Sequence, residues 1–205
     1  MVSEQEFYDA LAGRLGKDIA DKLRSCTIGI AGLGGLGSNI AMLLARAGVG
    51  KLVIADFDNV ELSNIHRQNY PLDSIGMKKT AATAKEIERI NPWCKVVQHD
   101  VKITKDNVSI FSDCDVVCEA FDDAEQKIML IESLSEMNKK TVSGNGMAGI
   151  QSANSIVTKK ISDDIYICGD GITDVKGNSL MPSRVTVCAA HQANAAIRII
   201  LGLEP

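Results

Sequence analysis

The sequence predicts an α/β fold, a mostly parallel sheet flanked by helices, and three observations support it. Short β-branched runs alternate with longer segments in which apolar residues recur at helical spacing. Glycines in a G-x-G-x-x-G pattern follow the first of these runs and lead into a helix. The 205 residues are 45% hydrophobic and 23% charged, which suits one well-buried core. We therefore expect a single domain over residues 1–205.

An N-terminal helical segment is expected over residues 1–24. Apolar residues recur every four positions from Phe7 to Leu23, which places them on one face of one or two helices. Gly13 and Gly16 are the candidate break points between these helices. A Rossmann-like core is expected to follow over residues 25–149.

The core begins with a strand, a glycine turn and a helix. The β-branched run from Thr27 to Ile30 predicts the strand, and an apolar stripe from Ile40 to Ala47 predicts a helix that Gly48 ends. The glycines between them let the backbone turn tightly and approach a phosphate, next to free N–H groups at the helix start. This pattern predicts a nucleotide site that includes Gly32, Gly34, Gly35, Leu36 and Gly37.

A second buried strand, from Leu52 to Ala55, leads directly to Asp56. The carboxyl end of such a strand is the usual place for a carboxylate that binds a ribose, which is the role predicted for Asp56. Residues 57–68 are too polar and irregular for a strand and predict a loop. Loops at this edge of a parallel sheet bind ligands. The candidate binding residues here are Asp58, Asn64, Arg67 and Gln68.

The next helix is predicted to begin near Lys78 and Lys79 and to run to about Ile90, where Asn91-Pro92 stops it. Cations at a helix N-terminus oppose the helix dipole unless an anion is bound between them. At least one of the two lysines is therefore predicted to contact a phosphate.

Three further strands are expected, from Lys95 to His99, from Asp115 to Glu119 and from Thr141 to Ser143. A helix from about Ala124 to Met137 should follow the second of them. Asp122 and Asp123 precede this helix, where one can cap it while the other points into the same crevice as the glycine turn.

Residues 150–205 are expected to extend the core. Two short strands, from Ala153 to Val157 and from Ile165 to Cys168, predict an antiparallel pair at the sheet edge. A Gly-rich and polar span from Gly169 to Ser183 predicts a mobile loop. An alanine-rich helix to about Leu201 closes the chain.

Charge and cysteine content limit the classes of partner and cofactor. A formal net charge of -4 argues against nucleic acid or a membrane surface as the main partner. The N-terminus lacks a leader pattern, and no apolar run approaches the ~18 residues of a membrane span, so a cytoplasmic protein is expected. Six cysteines without a C-x-x-C pair predict reduced thiols and no structural zinc. Cys168, which is expected to be exposed because a Gly-rich span follows it, and, more weakly, Cys188 remain open as candidates for acyl or sulfur transfer.

The motif set resembles the ThiF/MoeB/HesA family, and within it the short ThiF-like subfamily. GLGGLGS, LARAGVGKLVIADFDNVELSNIHRQ, an IG-x-K-K turn and the INP helix stop occur in the order typical of the family. The resemblance covers roughly Ser25 to Leu203 and is strongest up to Asn91. It implies a homodimer that uses ATP and Mg²⁺ to adenylylate the C-terminal glycine of a ubiquitin-like sulfur carrier protein ending in Gly-Gly, with thiamine biosynthesis as the implied pathway.

The same resemblance implies roles for individual residues. Asp56 would bind the ribose, Asn64, Arg67 and Gln68 the phosphates, Lys79 the phosphate being transferred and Asp122 the magnesium ion. Arg67, Lys79 and Asp122 are thus the catalytic candidates.

The sequence departs from the family pattern in three places. Phe121-Asp122-Asp123 stands in place of Thr-Asp-Asn, and the two C-x-x-C pairs of the family's zinc site are missing. The family's N-terminal arginine, which reaches into a partner subunit, has no clear counterpart, and Arg14 is the nearest in kind. Two alternatives stay open, an NAD-dependent oxidoreductase and a non-catalytic nucleotide-binding scaffold. Arg67 and Lys79 count against the oxidoreductase, because a dinucleotide pyrophosphate does not need that much positive charge.

Overall fold

The computed structural model describes residues 2–174 and 177–205. Seven strands form one sheet: β1 (Thr27–Ala31), β2 (Lys51–Ala55), β3 (Lys95–His99), β4 (Val116–Glu119), β5 (Lys140–Gly144), β6 (Val157–Lys160) and β7 (Ile165–Gly169). Their order is β3-β2-β1-β4-β5-β7-β6, and all neighbours are parallel except the antiparallel edge pair β6 and β7. The predicted α/β fold and its antiparallel edge are confirmed.

Six α-helices accompany the sheet in the described part of the chain: α1 (Glu4–Leu15), α2 (Lys17–Ser25), α3 (Gly35–Arg46), α4 (Lys79–Ile90), α5 (Ala124–Glu136) and α6 (Pro182–Ile200). Gly16, with a φ of 90°, separates α1 from α2, whereas Gly13 lies within α1. Throughout residues 2–174 and 177–205, every helix is too short or too polar to cross a membrane.

The strands β1, β2, β4 and β5 are buried on both faces, as their β-branched residues predict. Ile28 and Ile30 of β1 pack in one apolar cluster with side chains of α3, α4 and α6. Ala31, the neighbour of Ile30, belongs to a second cluster with Leu130 and Leu134 of α5. This alternation follows from the two-residue period of a strand, and it leaves the loops at the strand ends free to form a site.

The predicted strand from Ala153 to Val157 is wrong in its boundaries. Residues 153–155 form a 3₁₀ turn, in which the Asn154 N–H donates to Ser152 Oγ at 3.2 Å. Serine favours such local hydrogen bonds over a strand ladder. The strand begins at Val157, which is paired with Gly169 of β7.

The predicted mobile loop spans Gly169 to Ser183, and two of its residues, Val175 and Lys176, lie outside the described residues. The parts that are described are held by hydrogen bonds. The Gly149 N–H donates to the Ser179 carbonyl at 2.7 Å, and the Asp170 N–H donates to the Gly146 carbonyl at 2.9 Å. The expectation that little holds this span is therefore wrong for those parts.

Candidate functional site

A cavity of about 870 Å³ lies at the carboxyl ends of the central strands. It spans the point where the strand order reverses between β1 and β4, which is where open α/β sheets bind ligands. Its volume lies within the range of small-molecule sites. The predicted site residues line it, with the exception of Gly37: Gly32, Gly34, Gly35, Leu36, Asp56, Asp58, Asn64, Arg67, Gln68, Lys79 and Asp122.

The glycine turn places the start of α3 against this cavity. Gly32 has a φ of +89°, which favours glycine, and its N–H donates to the Ala55 carbonyl at 2.8 Å. A Cβ at position 37 would lie 1.8 Å from the Gly32 carbonyl oxygen, so Gly37 allows α3 to pack against the turn. Gly34 occupies the N-cap position, and no side chain of residues 2–174 or 177–205 caps the helix. The first N–H groups of α3 are thus available to an anion.

Asp56 is fixed in orientation at the end of β2. The Leu33 N–H donates to its Oδ2 at 2.6 Å, and the Asp58 N–H donates to its Oδ1 at 2.8 Å. Burial raises the pKa of Asp56 and outweighs the lowering effect of Lys79 and the two N–H donors. Each carboxylate oxygen retains a lone pair that could accept a hydrogen bond from a hydroxyl group.

Lys79 forms an ion pair at the first position of α4. Its Nζ lies 2.8 Å from Asp58 Oδ2, and its side chain is 7% exposed while that of Asp58 is 49% exposed. Asp58 therefore supplies an anion that offsets the unfavourable position of Lys79 at the helix start. Lys78 contacts Phe57 and Asp100 instead. A phosphate in the cavity could share Lys79 with Asp58.

Arg67 and Gln68 present unpaired groups at the same place. Arg67 Nη1 donates to the Ser63 carbonyl at 3.0 Å, but the guanidinium forms no ion pair with any described residue. Gln68 is 7% exposed, and its Oε1 has no hydrogen-bond partner within the described ranges. Asn64 is less free, because its Oδ1 accepts from the Glu61 N–H at 3.1 Å. A free cation and a free buried carbonyl beside the glycine turn fit a polar, anionic ligand.

The two aspartates that precede α5 have different contacts in the structure. The Gln126 N–H donates to Asp123 Oδ1 at 2.9 Å, so Asp123 is the N-cap. Asp122 lines the cavity, is exposed, and has no hydrogen bond or ion pair with the described residues. It is the carboxylate left available to a ligand or a cation.

Glu119 and Lys127 were missed by the sequence analysis. Lys127 lines the cavity, and its Nζ donates to both Glu119 oxygens, at 2.8 and 3.1 Å, and to the Gly144 carbonyl at 2.9 Å. The fully buried Glu119 also accepts from Ser143 Oγ at 2.5 Å and from the Phe121 N–H at 2.6 Å. This network ties the carboxyl ends of β4 and β5 together. The one feature of the sequence that could have indicated this network is a charged residue at the last position of an apolar strand.

The prediction that Cys168 is exposed is wrong. Cys168 and Cys188 are both fully buried, and the other four cysteines are buried as well. Burial raises the pKa of Cys168 to about 11 and that of Cys188 to about 12. Because the thiolate is the nucleophile, neither residue is a ready acyl acceptor near neutral pH in this conformation.

Thiol reactivity tests this conclusion. We expect the native protein to react with Ellman's reagent far more slowly than the protein unfolded in guanidinium chloride, in which all six thiols should react. Cys168→Ala should keep at least half of the activity of the wild type in the adenylylation assay described below. A single fast-reacting thiol in the native protein, lost in Cys168→Ala together with activity, would contradict this expectation.

The fold and the site together define a Rossmann-like α/β protein whose glycine turn faces a cavity at the point where the strand order reverses. A comparison with protein families is more specific, since the model of the ThiF family matches residues 8–205. The chain belongs to the ThiF family.

Curated relatives and solved structures agree with this assignment. The chain is 29% identical over 195 residues to the adenylyltransferase and sulfurtransferase MOCS3 of Aedes aegypti, a match that covers 88% of the chain and 43% of the relative. It is 30% identical over 192 residues to the adenylyltransferase and sulfurtransferase UBA4 of Eremothecium gossypii, covering 89% and 43%. The chain thus spans less than half the length of these relatives.

The solved structures show the same fold at low sequence identity. The E. coli tRNA N6-threonylcarbamoyladenosine dehydratase TcdA, in complex with ATP, matches with a TM-score of 0.87 and 22% identity over 98% of this chain and 97% of its own. E. coli MccB with ATP matches with a TM-score of 0.69 and 18% identity over 91% and 59%.

Proposed function

We propose that the protein adenylylates the C-terminal glycine of a ubiquitin-like sulfur carrier protein ending in Gly-Gly, using ATP and Mg²⁺. The observation that carries the proposal is the joint placement of Arg67, Lys79 and the uncapped start of α3 around one cavity. That much positive potential suits a triphosphate better than the pyrophosphate of a dinucleotide. The names of MOCS3 and UBA4, both adenylyltransferases, support the reaction class. The likeness to TcdA concerns the fold and does not select the substrate.

The proposed reaction forms a bond between a carboxylate oxygen and the α-phosphorus of ATP and releases pyrophosphate. Two anions must meet, so the site has to neutralise charge and hold the reacting groups in line. Asp56 would orient the ribose, because its carboxylate is fixed by the Leu33 and Asp58 N–H groups. Arg67 and the first N–H groups of α3 would bind phosphate oxygens, and Lys79 would share its charge between Asp58 and a phosphate. The attacking carboxylate is already ionised at neutral pH and needs no general base.

Asp122 would hold the magnesium ion. Mg²⁺ commonly binds through one or two carboxylates together with phosphate oxygens and water, so a single exposed carboxylate facing the cavity fits it. Nowhere in residues 2–174 and 177–205 do three or more His, Cys, Asp or Glu side chains come together as a metal site. The ion would supply charge neutralisation at the phosphates when bound. The expected lack of structural zinc stays a prediction.

The biological setting belongs to the same proposal. A homodimer and a role in thiamine biosynthesis rest on the family resemblance, and a cytoplasmic location rests on the sequence pattern. Arg14 lies exposed in the last turn of α1, where it could reach a partner subunit. We do not assign it a role in the site.

Ligand-induced stabilisation and isotope exchange test the proposed function. ATP with Mg²⁺ should raise the melting temperature, because a ligand that binds only the native state stabilises it. Exchange of labelled pyrophosphate into ATP should require the carrier and Mg²⁺. A carrier whose last two glycines are deleted is the matched control and should give no exchange. Stabilisation by NAD and not by ATP would favour the oxidoreductase, and ATP binding without exchange would identify the scaffold.

A further inference from the structure

A buried ion pair lies behind two parts of the cavity lining, residues 171–173 and Val185. Arg184 Nη2 donates to Asp170 Oδ2 at 2.6 Å, and the two side chains are 3% and 6% exposed. Asp170 follows β7, which is four strands along the sheet from β2 and Asp56. At about 4.8 Å per strand, β2 and β7 lie roughly 19 Å apart in the sheet.

The positive charge of Arg184 destabilises the N-terminus of α6, the helix to which it belongs. It lies in the first turn of α6, where a cation opposes the helix dipole, and burying a charge is costly unless it is well paired. Its position must therefore be explained by the contacts that it makes elsewhere. Arg184 Nη1 donates to the carbonyls of Gln151 at 2.8 Å and Ser152 at 2.6 Å, in addition to the pair with Asp170.

Asp170 in turn shapes the backbone that follows it. Its Oδ1 accepts from the N–H groups of Ile172 and Thr173, both at 2.9 Å, and its carboxylate also accepts from Thr173 Oγ1. The pair thus joins three segments: the turn at 151–152, the turn at 170–173 and the start of α6. We call this arrangement the Arg184–Asp170 strap.

The strap holds one wall of the cavity. Gly171, Ile172 and Thr173 line the cavity, and the Gly171 N–H donates to the Asn145 carbonyl at 3.2 Å. Val185, the residue after Arg184, lines the cavity too, and its Cγ1 would lie 2.9 Å from a Cβ at position 35. The same ion pair therefore fixes the wall formed by residues 171–173 and the place where α6 meets the glycine turn.

The two sides of the cavity differ in chemistry. The groups suited to a nucleotide, namely Asp56, Arg67 and Lys79, all follow β2. The side formed after β5 and β7 offers backbone groups and apolar side chains such as Met147 and Leu180, together with the polar side chains of Asn145, Thr173 and Asp174. The described lining of this side has no Lys or Arg, and the three protons of Lys127, which follows β4 and also lines the cavity, are already taken by Glu119 and Gly144. Backbone groups with apolar pockets are what binds an extended peptide.

We propose that Arg184 and Asp170 are positioning residues that set the wall against which the acyl substrate is placed. This inference rests on the proposed function, since it assigns the β5–β7 side to the carboxylate-bearing substrate and the β1–β2 side to the nucleotide. Positioning matters because a displacement of about 1 Å in the reacting groups can cost about 100-fold in rate.

The substitution Arg184→Lys tests the strap because it keeps the positive charge at position 184 and changes the geometry of the donors. Lysine is a point charge that cannot reproduce the fork contacting Asp170 and two carbonyls at once. In pyrophosphate exchange, the KM for the carrier should rise at least about 10-fold, while the KM for ATP stays within about 2-fold of the wild type. Amide hydrogen exchange at Ile172 and Thr173 should become faster. Arg198→Lys, near the other end of α6, is the matched control and should change neither KM.

The remaining outcomes separate this inference from the function on which it rests. Unchanged KM values in an active Arg184→Lys variant, or equal rises in both, would overturn the strap as a positioning element. A wild type that exchanges no pyrophosphate with any Gly-Gly carrier would overturn the function and with it the substrate assignment. If Arg184→Lys does not fold, the doubly neutral Arg184→Met with Asp170→Asn removes both buried charges. It should show the same selective rise in the KM for the carrier.

Discussion

Asp122→Asn is expected to lower carrier adenylylation by about 100-fold or more while leaving the melting temperature within a few degrees of the wild type. Asp122 faces the cavity and has no hydrogen bond or ion pair with the described residues, so its loss removes no contact of the fold. Asparagine keeps the size of the side chain but not the charge that a hard cation needs. A 100-fold loss corresponds to ~2.7 kcal/mol of transition-state stabilisation. Initial rates of pyrophosphate exchange and a thermal melt measure the two quantities.

Asp123→Asn is the matched control for this variant. Asp123 accepts from the Gln126 N–H as the cap of α5, and asparagine caps a helix about as well as aspartate. Activity and melting temperature should both change little. If the two substitutions had equal and modest effects on exchange, Asp122 would lose its proposed role and the magnesium site would be unassigned. Raising Mg²⁺ should partly restore the activity of Asp122→Asn if the defect lies in cation affinity.

Local patterns explain which parts of the fold could be predicted. The strand from Lys95 to His99 has the predicted boundaries, and α4 and α5 end within a residue of the predicted positions. Periodicity, glycine spacing and helix stops are carried by neighbouring residues, so a single sequence contains them. The glycine turn and Asp56 could be predicted for the same reason, because they follow directly from consecutive elements.

Features that depend on distant residues could not be predicted. The register of β6 is set by its pairing with β7, which the hydrophobic pattern near Ala153 does not encode. Cys168 was expected to be accessible because a Gly-rich span follows it. In the structure Thr158 of β6 lies against its Sγ at 3.5 Å, and Cys188 of α6 donates to its carbonyl at 3.3 Å. Two elements that are remote in sequence therefore bury it.

The two buried ion pairs could not be predicted from the sequence for a related reason. Glu119 pairs with Lys127 from the following helix, and Asp170 pairs with Arg184 across a span that the sequence presents as a loop. A charged residue in a sequence is most often solvated, so its burial becomes visible only when the partner is placed. Lys127 of the first pair lines the cavity, and the residues that follow Asp170 and Arg184 in the sequence line it too, so both pairs support its walls.

Gly37→Ala should strongly destabilise the protein. The new Cβ would lie 1.8 Å from the Gly32 carbonyl oxygen, which belongs to the backbone and cannot rotate away. Gly32 is itself held by its N–H bond to Ala55 and by a φ of +89°, so α3 would have to move off the turn. We expect the free energy of unfolding to fall by about 3 kcal/mol, measured by urea denaturation.

The same substitution should abolish the rise in melting temperature caused by ATP, because it displaces the N–H groups at the start of α3 that face the cavity. Gly13→Ala is the matched control, since Gly13 lies within α1 and a Cβ there would meet no atom within 4 Å. Alanine is the better helix former, so this variant should be more stable by up to about 1 kcal/mol and should bind ATP like the wild type. Equal denaturation midpoints for the two variants would mean that the turn can relax around a side chain at position 37. The close approach of α3 to Gly32 would then not be what holds the phosphate-binding N–H groups in place.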